Sequence, residues 1–137
     1  MRCPIHLCNA NNGRTDAECI DWRAAAKSLL VPLPTLDPMR FDYRGRELED
    51  GSASETVTND KNDINGASAL LVMFDGPSVG TSMEIYYAYE RAIPVYVVNA
   101  SEKPLSPWLI YHSAQVFWTL TEACEAILAD ATSHADY

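Results

Sequence analysis

Residues 69–85 of the chain read ALLVMFDGPSVGTSMEI. The first six form an uninterrupted apolar run, which is typical of a parallel strand buried on both faces. Small residues follow as a turn, and residues 83–92 read as part of a helix that is apolar nearly all round and is therefore expected to be buried. An ionisable side chain in such a helix costs several kcal/mol unless it is paired or used for chemistry. Glu84 is therefore the first candidate catalytic residue.

Strand and helix patterns alternate along the rest of the chain. Strands are predicted at residues 5–9, within 29–35, and at 69–74, 94–99 and 115–117, and helices at 16–30, about 55–66, 79–92 and 121–131. Residues 40–54 are polar and are expected to form an exposed loop. Repeated strand–helix units imply a parallel sheet, because right-handed crossovers place each helix over the sheet. We predict one α/β domain over residues 1–137, a three-layer flavodoxin-like or Rossmann-like domain with a five-stranded, mostly parallel sheet.

Composition and charge argue against several classes of function. The 137 residues carry a formal net charge of -9, which argues against binding to nucleic acid or anionic membranes, since both require clustered Lys and Arg. No stretch approaches the roughly 18 to 20 apolar residues of a membrane span. The N-terminal residues lack the apolar core of a signal peptide, so a cytoplasmic location is expected. The four cysteines and three histidines do not have zinc-ligand spacing, which predicts free thiols and no metal site.

Ligands of such parallel sheets bind in the crevice at the carboxyl ends of the strands. Four segments are expected to meet there, at residues 9–14, 37–46, 75–81 and 99–106. Among them, Ser78, Gly80 and Thr81 offer hydroxyls and backbone N–H groups at a helix start, where a phosphate or carboxylate is favoured. The alternative is that Ser78 or Thr81 only caps the helix.

The spacing of polar residues around this turn matches a known family. Asp60, the motif Ser78-x-Gly80-Thr81-x-x-Glu84-Ile85 and the downstream Ala88…Pro94-Val95 resemble the nucleoside 2-deoxyribosyltransferase superfamily, particularly its nucleoside 5′-monophosphate N-glycosidases. The resemblance covers about residues 58–99 and extends more weakly to Ile5-His6-Leu7-Cys8 and to Ser113. It implies that Glu84 is the nucleophile that attacks the anomeric carbon of the sugar. It also implies that Asp60 assists at the nucleobase as general acid, with no metal or organic cofactor. Asp63, three residues later, remains an alternative acid.

One position separates the branches of this family. Relatives that act on free nucleosides typically have an aspartate six residues before the nucleophile, whereas the monophosphate hydrolases have a serine, and this chain has Ser78. A carboxylate there would repel a phosphate dianion, whereas a hydroxyl donates a hydrogen bond to it. The resemblance therefore favours hydrolysis of a nucleoside 5′-monophosphate to free base and (deoxy)ribose 5-phosphate. A base-exchanging nucleoside deoxyribosyltransferase and a non-catalytic nucleotide-binding module are the alternatives.

Further residues are candidates for substrate binding. Asn9 ends the first strand, and the segment 37–46 holds Asp37, Arg40 and Arg44, which could contact the base and the phosphate or form a salt-bridged surface loop. His6 stands where relatives carry a tyrosine near the substrate, and its alternative is a buried strand histidine.

The resemblance also implies a homodimer with active sites near the subunit interface. Ser113 is then expected to reach the phosphate bound in the neighbouring subunit. Tyr86, Tyr87 and Tyr89 are expected to pack in the core or at the dimer contact.

Overall fold

The computed structural model describes residues 3–9, 16–37 and 51–135. Five strands and five helices lie in these ranges. In chain order they are β1 (Ile5–Asn9), α1 (Asp16–Leu30), β2 (Thr35–Leu36), α2 (Ser52–Asn65), β3 (Ala69–Phe74), α3 (Val79–Glu90), β4 (Val95–Asn99), α4 (Pro107–Tyr111), β5 (Gln115–Phe117) and α5 (Leu120–Ala135).

The five strands form one sheet in the order β2-β1-β3-β4-β5. Every neighbouring pair is parallel, and Val72 at its centre pairs with Cys8 of β1 on one side and with Val97 of β4 on the other. This order is that of flavodoxin-like domains, and it reverses direction between β1 and β3. The predicted α/β fold with a parallel sheet is confirmed.

Side chains alternate between the two faces of the sheet and bury both of them. Ile5 and Leu7 of β1 face α1 and α5, together with Leu71 of β3. Cys8 faces the opposite side and packs in a second core with residues of α2, α3 and α4, including Ile85. The helices therefore form an outer layer on each side of the sheet, which explains the continuous apolar runs of β3 and β4.

Several predicted boundaries differ from the structure. The second strand, predicted within 29–35, begins only at Thr35, because the preceding prolines cannot donate a backbone hydrogen bond. Helix α2 begins at Ser52 instead of about 55, so residues 52–54 are helical where an exposed loop is predicted. Gly51 precedes the helix with a φ of 82°, a conformation that glycine adopts at little cost. The short α4 is absent from the prediction.

The prediction that helix α3 is buried nearly all round is wrong. Only Thr81, Ile85 and Ala88 are buried, and their spacing of four and three residues defines one narrow face against the sheet. Met83 is 67% exposed and Tyr86 is 50% exposed on the other side. None of the described helices combines the length and the apolar character needed to cross a membrane.

Candidate active site

A cavity of about 940 Å³ lies between α2, α3 and α4. Its wall includes Asp75 and Gly76, which follow β3, and Ser101, which follows β4, so it opens at the carboxyl ends of these strands. Two of the four predicted ligand segments, those after β3 and β4, therefore contribute to one cavity. The other two, residues 9–14 and 37–46, lie largely outside the described residues.

Glu84 projects into this cavity from the middle of α3. Its Oε2 accepts a hydrogen bond from the Sγ of Cys8 at 2.6 Å. The pKa of Glu84 is raised to about 7; burial is the largest cause, the charge and hydrogen bonding of Asp60 add to it, and Cys8 and Arg23 act in the opposite direction. Glu84 is therefore a carboxyl group that changes protonation near neutral pH, which is a common property of catalytic acids and nucleophiles.

Asp60 reaches the same cavity from α2. It lies close enough to Glu84 for its charge and hydrogen bonding to affect the pKa of Glu84. Asp63 is 8% exposed and does not contribute to the described cavity wall. The geometry therefore favours Asp60 over Asp63 as the partner of Glu84.

Tyr87 fixes the position of α2 relative to α3. Its hydroxyl donates a hydrogen bond to Oδ1 of Asn65 at 3.2 Å. The Nζ of Lys61 lies 5.3 Å from the ring centroid of Tyr87, and the Cζ of Arg91 lies 3.4 Å from it, within the range of cation–π attraction. The contacts of Tyr87 with Asn65 and Lys61 therefore join α2 to α3 beside the cavity.

Ser78 caps the N-terminus of α3. Its Oγ accepts a hydrogen bond from the backbone N–H of Thr81 at 3.3 Å. Thr81 is buried, whereas Gly80 lines the cavity, and a Cβ atom added at Gly80 would meet nothing within 4 Å. Ser78 therefore caps the helix and is absent from the described cavity wall, whereas Gly80 leaves the backbone at the helix start open to the cavity.

Two serines of the α4 region differ in their relation to the cavity. Ser113 follows α4, donates its hydroxyl to the carbonyl of Leu109 at 2.6 Å, and is absent from the described cavity wall. Ser106 lines the cavity and accepts the N–H of Trp108 at 3.2 Å. Ser106 is the last residue of the predicted ligand segment 99–106 and precedes a proline, as is typical of a helix start.

Asp37 forms an ion pair with α1. Its Oδ1 lies 3.1 Å from the Nε of Arg23, and its Oδ2 lies 3.5 Å from the Nζ of Lys27. Arg23 is 1% exposed, and sequence reasoning missed it because nothing in the pattern of α1 distinguishes a buried arginine from an exposed one. The predicted substrate-binding role of Asp37 stays a prediction.

The remaining predicted binding residues are His6, Asn9, Arg40 and Arg44. His6 is fully buried in the middle of β1, on the same face as Cys8, and is absent from the described cavity wall. Asn9 ends β1 beside Met73. Arg40 and Arg44 lie outside the described residues.

In the three described ranges, no group of three or more His, Cys, Asp or Glu residues is arranged to hold a metal ion.

Two solved structures share the architecture of the chain. A 2-deoxyribosyltransferase from the psychrotolerant bacterium Bacillus psychrosaccharolyticus matches with a TM-score of 0.72 and 16% identity over 91% of this chain and 95% of that one. A conserved protein from Enterococcus faecalis matches with a TM-score of 0.72 and 14% identity over 93% of this chain and 98% of that one. No protein-family model and no curated protein sequence matches the chain.

At these identities the similarity is one of fold. The chain has the fold of a 2-deoxyribosyltransferase over nearly its whole length, so the family resemblance seen in the sequence is confirmed at the level of the fold. The roles of individual residues are a separate question, because one fold supports many functions.

Proposed function

We propose that the protein is a member of the nucleoside 2-deoxyribosyltransferase superfamily that hydrolyses the N-glycosidic bond of a nucleoside 5′-monophosphate. The products are a free nucleobase and (deoxy)ribose 5-phosphate. The observation that carries the proposal is the pairing of Asp60 and Glu84 in one cavity, with the pKa of Glu84 raised to about 7. The fold shared with the Bacillus transferase supports it. We further propose that residues 1–137 form one domain and that the enzyme acts in the cytoplasm.

In the proposed mechanism the two carboxyl groups have different tasks. The Glu84 carboxylate attacks the anomeric carbon and forms a glycosyl ester as the C–N bond breaks, while Asp60 gives its proton to the departing base. Asp60 then accepts a proton from a water molecule, whose oxygen attacks the anomeric carbon and releases the Glu84 carboxylate. Every proton is accounted for by these two groups and water, so the sequence of steps requires no cofactor.

The start of α3 supports a phosphorylated substrate. Ser78 is absent from the described cavity wall, but its Oγ uses a lone pair to cap the helix and retains its O–H, which we propose donates to a phosphate oxygen at the helix start. The N–H groups of Val79 and Gly80 belong to the first turn, where amides have no acceptor within the helix. Lys103 lines the same cavity and adds a positive charge. These donors offset the overall negative charge of the protein locally.

Base exchange is the second candidate, because the Bacillus protein of the same fold is a 2-deoxyribosyltransferase. In that reaction a second nucleobase, instead of water, would attack the glycosyl ester on Glu84. Supplying a second free base distinguishes the two reactions, since a transferase would make the new nucleoside faster than it releases free sugar.

We propose in addition that the protein is a homodimer with its active sites near the interface. The supporting observation is an exposed apolar surface of α3 and α4 beside the cavity, in which Met83 is 67%, Trp108 is 73% and Tyr111 is 69% exposed. Tyr89, 41% exposed, packs against Tyr111 at a centroid distance of 5.7 Å, which makes the surface continuous. Sedimentation of the wild type and of Trp108→Glu tests this, and a monomeric wild type would contradict it.

The proposed function is tested by incubating purified protein with a panel of nucleoside 5′-monophosphates and separating the products by chromatography. Base release from at least one nucleotide, with no release from the matching nucleoside, is expected. Saturable nucleotide binding without base release would instead indicate a binding module.

A further inference from the structure

Two buried thiols occupy opposite faces of the sheet. Cys8 is 2% exposed and lies on the face that packs against α3. Cys124 is 1% exposed and lies in the apolar core formed with α1 and α5. Only the first of these two thiols contacts a carboxylate, the Oε2 of Glu84 at 2.6 Å.

The thiol of Cys8 stays protonated over the range in which enzymes work. Its burial raises its pKa well above the usual thiol value, and the negative charge of Glu84 raises it further. The S–H group therefore donates a hydrogen bond to the carboxylate, and the sulfur does not compete with the carboxylate as a second nucleophile.

We infer that Cys8 is a positioning residue for Glu84, whose S–H holds Oε2 and leaves Oε1 as the oxygen that attacks the sugar. The inference rests on the proposed function, in which Glu84 is the nucleophile. β1 anchors the sulfur, because Cys8 pairs within the sheet with Val72. The carboxylate is thereby tied to the most rigid part of the fold, although it stands on an outer helix.

The contact also favours the ionised carboxylate that the reaction requires. Burial and the neighbouring Asp60 both oppose ionisation of Glu84, whereas the Cys8 hydrogen bond and the charge of Arg23 support it. A thiol is a weak donor, so it supports the charged form without satisfying the carboxylate as strongly as a cation would.

Infrared spectroscopy tests the contact without any substrate. The S–H stretching band of Cys8, isolated as the difference between wild type and Cys8→Ala, is expected at lower frequency than that of Cys124, isolated with Cys124→Ala. In Glu84→Gln the Cys8 band is expected to move towards the Cys124 band, because a neutral amide accepts more weakly than a carboxylate. Coincident bands in the wild type would overturn the inference.

Kinetics test the positioning role. Cys8→Ala is expected to lower kcat by about tenfold to a hundredfold, the scale of a lost hydrogen bond to a charged group, with little change in KM. It is also expected to move the acid limb of the kcat profile to higher pH, and Cys8→Ser is expected to restore part of both. Cys124→Ala removes the same sulfur from an equally buried site and is expected to leave kcat and its pH profile unchanged.

Identical kcat profiles for Cys8→Ala and Cys124→Ala would overturn the positioning role. If Cys8→Ala does not fold, the comparison of wild type with Cys8→Ser and with Glu84→Gln still detects the contact. A displaced S–H band in a protein that releases no base from any nucleotide would overturn the proposed function while supporting the contact itself. The two failures are therefore distinguishable.

Discussion

Glu84 of α3 and Asp60 of α2 face one cavity from two helices, and the charge of Asp60 adds to burial in raising the pKa of Glu84 to about 7. Two carboxyl groups at such close range do not both ionise easily, so the pair holds one proton in common near neutral pH. One ionised and one protonated carboxyl is the state that a nucleophile and a general acid require.

The first prediction concerns the pH dependence of turnover. Turnover requires an ionised Glu84 and a protonated Asp60, so kcat is expected to rise as the pair loses its first proton and to fall as it loses the second, near a pH of about 7. The measurement is base release at saturating substrate, because the phosphate of the substrate itself titrates near about pH 6 and would distort kcat/KM. A kcat that does not change between about pH 5 and 8 would contradict the nucleophile assignment.

The second prediction concerns Asp60. Asp60→Asn removes the proton donor and is expected to lower kcat by about a hundredfold to ten-thousandfold. Because it also removes the second titrating carboxyl group of the pair, the fall of kcat above about pH 7 is expected to disappear from the remaining activity. Asp63→Asn, three residues away on the same helix, is the matched control and is expected to retain most of the turnover of the folded protein. If Asp63→Asn lowered kcat more than Asp60→Asn does, Asp63 would be the general acid.

The third prediction concerns stability. The folded-state pKa of Glu84 lies above its ordinary value of 4.5, so its contribution to stability is fully present below pH 4.5 and is lost as the pH rises through about 7. Glu84→Gln removes this buried charge and is expected to raise the melting temperature at about pH 8, with little effect at about pH 4. Glu90→Gln on the exposed side of α3 is the control and is expected to change little. A lower melting temperature of Glu84→Gln at about pH 8 would show that the carboxylate is not destabilised by burial.

The fourth prediction separates the two roles of Ser78. Aspartate caps a helix as well as serine does, so Ser78→Asp is expected to leave the melting temperature nearly unchanged, whereas Ser78→Ala is expected to cost about 1 kcal/mol. The new carboxylate repels a phosphate dianion, so Ser78→Asp is expected to raise KM for the nucleotide and to improve the use of the unphosphorylated nucleoside. Thermal unfolding and steady-state kinetics of the two variants measure these effects. If Ser78→Asp left the nucleotide kinetics unchanged, the phosphate would not bind at the start of α3.

The sequence predicts the parts of the structure that depend on local pattern. The bounds of β1, β3 and β5 follow from short apolar runs between turn residues, and the alternation of strands and helices correctly predicts a parallel sheet. Helix α4 has five residues, too few for a periodic pattern, so the sequence predicts only a loop there, although the predicted ligand segment 99–106 includes the wall residue Ser106.

Contacts between distant residues are the other part that the sequence does not reveal. The Cys8–Glu84 contact joins residues 76 positions apart and exists only because β1 lies beside β3 beneath α3. Likewise, α3 was expected to be buried all round because its apolar residues do not alternate with polar ones. The local sequence does not show which other element or subunit covers an apolar helix face. For the exposed apolar side of α3, a subunit contact is the proposed cover.

The central claim is that Glu84 forms a covalent bond with the sugar of a nucleotide. Its most direct test is base release from a nucleoside 5′-monophosphate by the wild type and by Glu84→Gln, with Glu90→Gln as control, measured by chromatography on proteins of equal circular dichroism. The wild type and Glu90→Gln are expected to release base at similar rates, and Glu84→Gln is expected to be slower by about a thousandfold or more. Full activity of Glu84→Gln would contradict it.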